Sequence, residues 1–158
     1  MADVVVLGAG LGGTLMAYEL MPQLHDGDTL TLISEGTRYH FVPSNPWVAI
    51  GWRKREEIEI DLESVMRRKN IRLLAQGAAR VVPEQNCVTM KDGTWVPYDY
   101  LATGPDLAFD EIEGFGPKGH TQSICNVDCA EHAWHAFEDF CKKPGPIVLA
   151  APPTSRQS

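Results

Sequence analysis

Met1-Ala2-Asp3-Val4-Val5-Val6-Leu7-Gly8-Ala9-Gly10-Leu11-Gly12-Gly13-Thr14 is the stretch that decides the fold. Val4 to Leu7 is an unbroken apolar, β-branched run, which reads as a strand buried on both faces. Gly8, Gly10 and Gly13 follow at the spacing of a dinucleotide-binding turn. The first permits the tight turn, the second lets a pyrophosphate approach the backbone, and the third lets helix and strand pack closely. Leu11, Leu15, Tyr18 and Met21 recur at helical spacing, so a helix opens directly after the turn with its free N–H groups facing the phosphates. A second strand, Thr29 to Ile33, ends at Ser34-Glu35. Glu35 lies 22 residues past Gly13, where an acid can accept hydrogen bonds from the ribose of an adenosine. The competing reading is a glycine-rich turn that binds nothing; the flanking strand, helix and acid argue against it.

The 158 residues suffice for one ordinary domain with a real core. A composition of 44% hydrophobic and 22% charged residues places the chain among soluble globular proteins. The net charge of −7 lacks the basic footprint that nucleic acid requires, so that class is set aside. No apolar run is long enough to cross a membrane as a helix. The chain starts directly with a strand, so no secretory signal is visible and a cytoplasmic setting is the default. Cys87, Cys125, Cys129 and Cys141 form no C-x-x-C pair, and reduced thiols are expected.

Further along, Gly36 to Trp52 carries two prolines and two tryptophans and reads as a long structured connection, either covering a ligand or plugging the core. Arg53 to Glu57 is a mixed charge run, expected on a solvated face. Leu62 to Lys69 reads as a short helix and Ile71 to Ala75 as a strand. Arg80–Pro83, Cys87–Met90 and Thr94–Val96 form an antiparallel meander with Asp92-Gly93 as a hairpin turn. The strand beginning near Tyr98 ends in Ala102-Thr103-Gly104, small residues that let backbone come close to a ligand. Asp106 to Gly119 reads as loop. Asp128 to Lys143 is the longest helix candidate, with Asp128 and Glu131 as a capping pair and Ala130, Ala133, Trp134, Phe137 and Cys141 as its buried stripe. Cys129, His132 and His135 share part of that helix but read as a helix face, so no metal site is expected. A strand begins at Ile147, and residues 152–158 look disordered.

Taken together, Gly8-x-Gly10-x-x-Gly13, Thr31-Leu32-Ile33-Ser34, Phe41-Val42-Pro43-Ser44-Asn45-Pro46-Trp47, Gly51-Trp52, Tyr98-Asp99-Tyr100-Leu101, Ala102-Thr103-Gly104-Pro105 and Gln122-Ser123-Ile124-Cys125 resemble sulfide:quinone oxidoreductase of the bacterial type. This is a branch of the FAD flavoproteins with two dinucleotide-binding domains. The resemblance runs from Ala2 to about Leu149. It implies an α/β, Rossmann-like FAD-binding three-layer fold with an antiparallel β-meander, truncated before the second dinucleotide-binding domain. It also implies FAD as cofactor, with Gly8, Ala9, Gly10, Gly12 and Gly13 at the pyrophosphate and Ser34 and Glu35 at the adenosine ribose. Pro43, Ser44 and Asn45 would lie near the isoalloxazine ring, Ala78 near the adenine, and Thr103 and Gly104 along the cofactor. Cys125 matches a cysteine of the sulfide site. The residues alone leave it open between a reactive thiol and a small buried hydrophobe.

The resemblance further implies sulfide and quinone as substrates, a peripheral-membrane setting for the full-length enzyme, and room for a homo-oligomer. On this reading residues 1–105 are a partial FAD-binding domain and 106–151 a connection with the first helix and strand of a second domain; 152–158 are a tail. Two departures bear on the expectations. Leu149-Ala150-Ala151-Pro152-Pro153 stands where a second glycine loop is expected, and proline cannot supply its N–H groups. Leu101 abuts Ala102 where the family has two more apolar residues, which would set Ala-Thr-Gly back by roughly 6–7 Å. The expected activity of the isolated chain is therefore low, and the alternatives are a non-catalytic remnant of a frameshifted gene or a fragment of an NADH-linked reductase.

Overall fold

A computed structural model describes residues 1–103 and 121–148. In chain order the elements are β1 (Asp3–Leu7), α1 (Leu11–Leu20), β2 (Thr29–Ile33), β3 (Arg38–His40), α2 (Asn45–Ala49), β4 (Glu59–Asp61) and α3 (Leu62–Arg68). They continue with β5 (Arg72–Leu74), β6 (Ala78–Val82), β7 (Cys87–Met90), β8 (Trp95–Pro97), β9 (Tyr100–Thr103) and α4 (Val127–Lys142). Gly104, the 106–119 loop and the 152–158 tail lie outside the described residues.

The parallel sheet has the order β5-β2-β1-β9. Its central strand, β1, is the apolar run of the opening stretch, and alternation along it separates two cores. Val4 and Val6 face α1 and α3, packing with Ala17, Leu30, Leu32, Leu62 and Met66. Val5 faces the other way, onto Ile33, Val88, Met90 and Val96. Helices, parallel sheet and meander therefore make three layers, as expected. Each fully buried aliphatic side chain contributes about 1.5–3 kcal/mol. The β1–β2–β5 half thus stands on the dense first cluster.

α3 forms where the sequence supplies both ends. Asp61 accepts a hydrogen bond from Ser64 N–H at 3.1 Å, and Arg67 and Arg68 close the last turn. Leu62 and Met66, one turn apart, are its buried pair. β6, β7 and β8 pair antiparallel, and the β7–β8 turn places Gly93 at φ +87° while Asp92 accepts from Thr94 N–H.

Several expectations are corrected. Ala102-Thr103 is not set back: β9 pairs with β1 so that Ala102 is level with Val6 and Thr103 with Leu7. Asp99 N–H bonds Asp3 O at the other end, so the short strand enters the sheet level with β1. α4 is capped by Asn126, whose side chain accepts from Cys129 N–H at 2.8 Å, and not by Asp128. Only the amino-terminal part of its stripe is covered: Val127 and Ala130 are buried with Val48 and Ile58, whereas Phe137 and Cys141 are exposed. Ile147 and Val148 are exposed and form no strand.

The charge run is not simply solvated. Arg55 bonds Glu59, Glu131 and Asp128 at 2.8, 2.8 and 2.6 Å, tying β4 to α4. The connection from Gly36 to Trp52 contains β3, which pairs with β4, and α2, which packs on α4. It plugs a small core through Val48, Ser44 and Asn45 while Trp47 and Trp52 stay exposed.

Candidate functional site

The parallel order places β2 on one side of β1 and β9 on the other. In such sheets the crevice at the carboxyl ends, where the order reverses, is the ligand position. Gly8 to Gly13 occupies that place, with Thr103 abreast of Leu7.

The three glycines differ physically. Gly8 has φ +103°, a conformation that side-chain-bearing residues rarely adopt, and its N–H bonds Ile33 O at 2.9 Å. At Gly13 an added Cβ would lie 1.8 Å from Gly8 O, so only glycine lets α1 approach the turn this closely. At Gly10 and Gly12 an added Cβ would meet nothing within 4 Å. Those two glycines border open space.

α1 begins there with no side-chain cap and no acidic residue in its first turn. Its first N–H groups have no acceptor among the described residues before Thr14 N–H, which bonds Gly10 O. An anion there would complete the helix end and meet the positive pole of its dipole. The turn therefore fits a pyrophosphate: backbone donors, positive potential, and no side chain in the way.

The turn at Ser34-Glu35, expected at an adenosine ribose, is more constrained than its sequence indicates. Ser34 is buried, and its hydroxyl donates to Gly36 O, closing a local turn. Glu35 is exposed, and both its carboxylate oxygens bond Lys91 Nζ, at 2.7 and 2.8 Å. Its carboxylate lies over Gly77, where an added Cβ would come within 2.5 Å of it. Glu35 is thus presented to solvent by a lysine from the meander. Lys91 carries no sequence signal for this, because it lies 56 residues from its partner. Ala78, at the start of β6, packs on the second core beside this turn.

The remaining predicted residues gather at a second locus. Pro43 is exposed, whereas Ser44 and Asn45 are buried at 4% and 1% exposure. Asn45 Nδ2 donates to Ile124 O at 3.1 Å, joining two stretches 79 residues apart. The next residue, Cys125, is exposed and bears a free thiol, so it is not a buried hydrophobe. Asn45 Oδ1 is a buried polar atom with no partner among the described residues. On α4, His132 Nδ1 meets Gln122 Oε1 and His135 Nδ1 meets Glu138 Oε2. Among the described residues no three His, Cys, Asp or Glu side chains are arranged to hold a metal. An open groove of about 550 Å³, lined by Met16, Leu20, Leu24 and Tyr100 with Ala2 and Asp28, lies at the opposite, amino end of β1.

Fold and turn together define a Rossmann-like FAD-binding fold of the flavoprotein reductase class. NADH:rubredoxin oxidoreductase from Clostridium acetobutylicum shares that fold at a TM-score of 0.65 and 22% identity, over 89% of this chain and 36% of that one. The particular likeness is to sulfide:quinone oxidoreductase. The chain is 37% identical over 155 residues to the sulfide-quinone reductase of Aquifex aeolicus, covering 95% of this chain and 34% of that protein. The Aquifex aeolicus crystal structure matches at a TM-score of 0.79 and 35% identity, over 92% of this chain and 34% of that one. The mitochondrial sulfide:quinone oxidoreductase of Mus musculus is 25% identical over 160 residues, 96% of this chain and 34% of that protein. The chain thus spans about a third of the length of these relatives. No protein-family model matches it. Among the described residues no helix is long and apolar enough to cross a membrane.

Proposed function

We propose that the chain is the FAD-binding part of a sulfide:quinone oxidoreductase. The observation that carries this reading is the glycine turn at the β1–β9 crevice, open at Gly10 and Gly12, in a chain 37% identical over 95% of its length to such an enzyme. In this reading Gly8, Ala9, Gly10, Gly12 and Gly13 hold the pyrophosphate through backbone N–H groups and the α1 dipole. Glu35 accepts from the adenosine ribose while Lys91 holds its carboxylate. Ser34 contributes by shaping the turn, since its hydroxyl is engaged by Gly36 O. Ala78 lies by the adenine and Thr103 lines the cofactor from the end of β9; Gly104 is assigned to the cofactor by the resemblance alone. Pro43, Ser44 and Asn45 lie near the isoalloxazine ring, which brings it toward the segment bearing Cys125.

FAD, when bound, supplies a two-electron acceptor that can pass its electrons to a quinone. Cys125 would hold sulfide sulfur as a persulfide, one S–S bond replacing two S–H bonds, with the two protons released to solvent and the two electrons taken up by the bound flavin. The exposure of its thiol gives sulfide access. Only this described cysteine matches the sulfide site, and the chain spans about a third of its relatives' length. We therefore infer that the 158 residues alone oxidise sulfide slowly or not at all. Residues 1–105 form the partial FAD-binding domain in this reading, and membrane contact and oligomer formation belong to the longer enzyme.

The test is reconstitution of the purified chain with FAD, followed by removal of free flavin. A retained absorption band near about 450 nm supports the reading. A colourless protein that also fails to quench flavin fluorescence overturns it. Turnover of sulfide with a soluble quinone by this chain would overturn the inferred low activity.

A further inference from the structure

We propose that Asn45 is the positioning residue for Cys125. Three hydrogen bonds fix the backbone on either side of this thiol. Cys125 N–H donates to Ser123 Oγ at 3.2 Å, Asn126 caps α4 through Cys129 N–H, and Ile124 O accepts from Asn45 Nδ2. The first two are local and move with the segment. Of these three, only the third comes from elsewhere in the chain. It ties residues 124–126 directly to the loop that ends in Ser44-Asn45-Pro46. The clamp sits on a rigid base, because α2 starts at Asn45 and packs on α4 through Val48, Val127 and Ala130.

The chemistry of Asn45 supports a role beyond filling space. A side chain exposed by 1% that only packed would be as well served by an apolar residue of the same shape. Instead an amide is buried with its donor end engaged and its Oδ1 without a partner among the described residues. Burying half an amide unpaired is costly, and the return is a directed hydrogen bond to the carbonyl before the thiol. Asn45→Asp replaces the donor with a carboxylate facing the Ile124 carbonyl, two acceptors that repel. Protonation of that carboxyl restores an O–H donor, and burial raises the pH at which this happens.

The inference rests on the reading of Cys125 as the redox thiol, but its test needs no flavin. In the full chain carrying Cys129→Ser and Cys141→Ser, Cys125 is the exposed thiol and Cys87 is buried. A nitroxide attached to Cys125 reports how firmly the segment is held. Its mobile spectral fraction, relative to the immobile one, rises about fivefold in Asn45→Ala and in Asn45→Asp at about pH 7.5, the worth of one hydrogen bond. In Asn45→Asp it falls back at about pH 5, and in Asn45→Ala it does not. A label on Cys141, with Cys125 replaced by Ser instead, is unmoved by either change. Unchanged mobility at Cys125 in both variants overturns the proposal. So does a rise that acid does not reverse in Asn45→Asp, or that the Cys141 label shares, since general loosening would do either. A chain that binds no FAD yet shows the acid-reversible change refutes the functional reading and leaves the clamp standing.

Discussion

Gly12→Ala and Gly13→Ala make the same chemical change at neighbouring positions of one helix, and the structure assigns them opposite effects. At Gly13 the new Cβ starts 1.8 Å from Gly8 O and 3.0 Å from Gly8 C. Backbone atoms cannot swing aside as a flexible side chain would. Either α1 retreats by more than 1 Å, opening its contact with Val6, or the Gly8 turn rotates and strains the Gly8 N–H to Ile33 O bond. Overpacking of this kind costs about 1–3 kcal/mol, offset by about 0.5–1 kcal/mol from replacing glycine with alanine in a helix. At Gly12 nothing lies within 4 Å, so only the favourable part applies, about 0.5 kcal/mol near a helix end. The two variants should therefore differ in unfolding free energy by about 2 kcal/mol, a large share of the 5–15 kcal/mol typical of a domain. Urea unfolding followed by tryptophan fluorescence measures this, read from midpoints at unchanged slope. Gly10→Ala completes the set. Its φ of −72° and ψ of −172° suit alanine, so stability stays within about 1 kcal/mol of the parent. FAD affinity falls tenfold or more, about 1.4 kcal/mol, as the methyl enters the open side of the turn. Equal stabilities for Gly12→Ala and Gly13→Ala would refute the close-approach argument. Undiminished FAD binding by Gly10→Ala would refute the pyrophosphate assignment.

Arg55→Ala removes one guanidinium from three carboxylates and should cost about 1–3 kcal/mol, between the worth of surface and buried ion pairs. Hydrogen exchange should rise across α4 before it rises in β1 or β2. Glu59 makes stability fall in acid. Burial opposes its charge, but hydrogen bonds from His40 and Arg55 outweigh that and hold its carboxyl below the ordinary value of 4.5. A lowered folded-state pKa means the stabilisation is complete above that value and is lost as pH falls through the depressed one. Unfolding midpoints should therefore drop less between about pH 6 and pH 3 in Glu59→Gln than in the parent. Lys91→Met should weaken FAD binding about two- to fivefold by releasing the Glu35 carboxylate, and Lys91→Arg should restore it; fluorescence titration reads both.

The β1–α1–β2 unit was legible because every signal in it is local. A β-branched run, three glycines and a helical repeat lie within about twenty residues, and each dictates its neighbour's conformation. The meander was legible for the same reason, since Asp92-Gly93 specifies its turn. What the sequence left unread depends on distant partners. The Asp128 and Glu131 spacing fits a capping pair, yet a carboxylate can cap a helix or pair with a cation. Here the Arg55 fork, 73 and 76 residues away, takes both. The cap falls to Asn126, whose Oδ1 accepts from Cys129 N–H. The Ala130–Cys141 stripe is helical in period, but among the described residues its amino-terminal half meets α2 and Gly51 just beyond it, while Phe137 and Cys141 stay exposed. A repeat marks the face that can be buried, and only the tertiary fold determines how much of it is.

The same distinction separates the two halves of the candidate site. The glycine turn is specified by the residues that form it, so its geometry follows once β1 and α1 form. The thiol locus is not. Cys125 gains a defined position only when α2 docks on α4 and Asn45 reaches Ile124 across 79 residues of chain. Its placement therefore depends on Val48, Ile58, Val127, Ala130 and the Arg55 carboxylate network, a small core separate from the two that hold the sheet. Weakening that small core should loosen the thiol while leaving the pyrophosphate turn intact. On the proposed function, holding the cofactor's phosphates and aiming the sulfur chemistry are separately supported tasks.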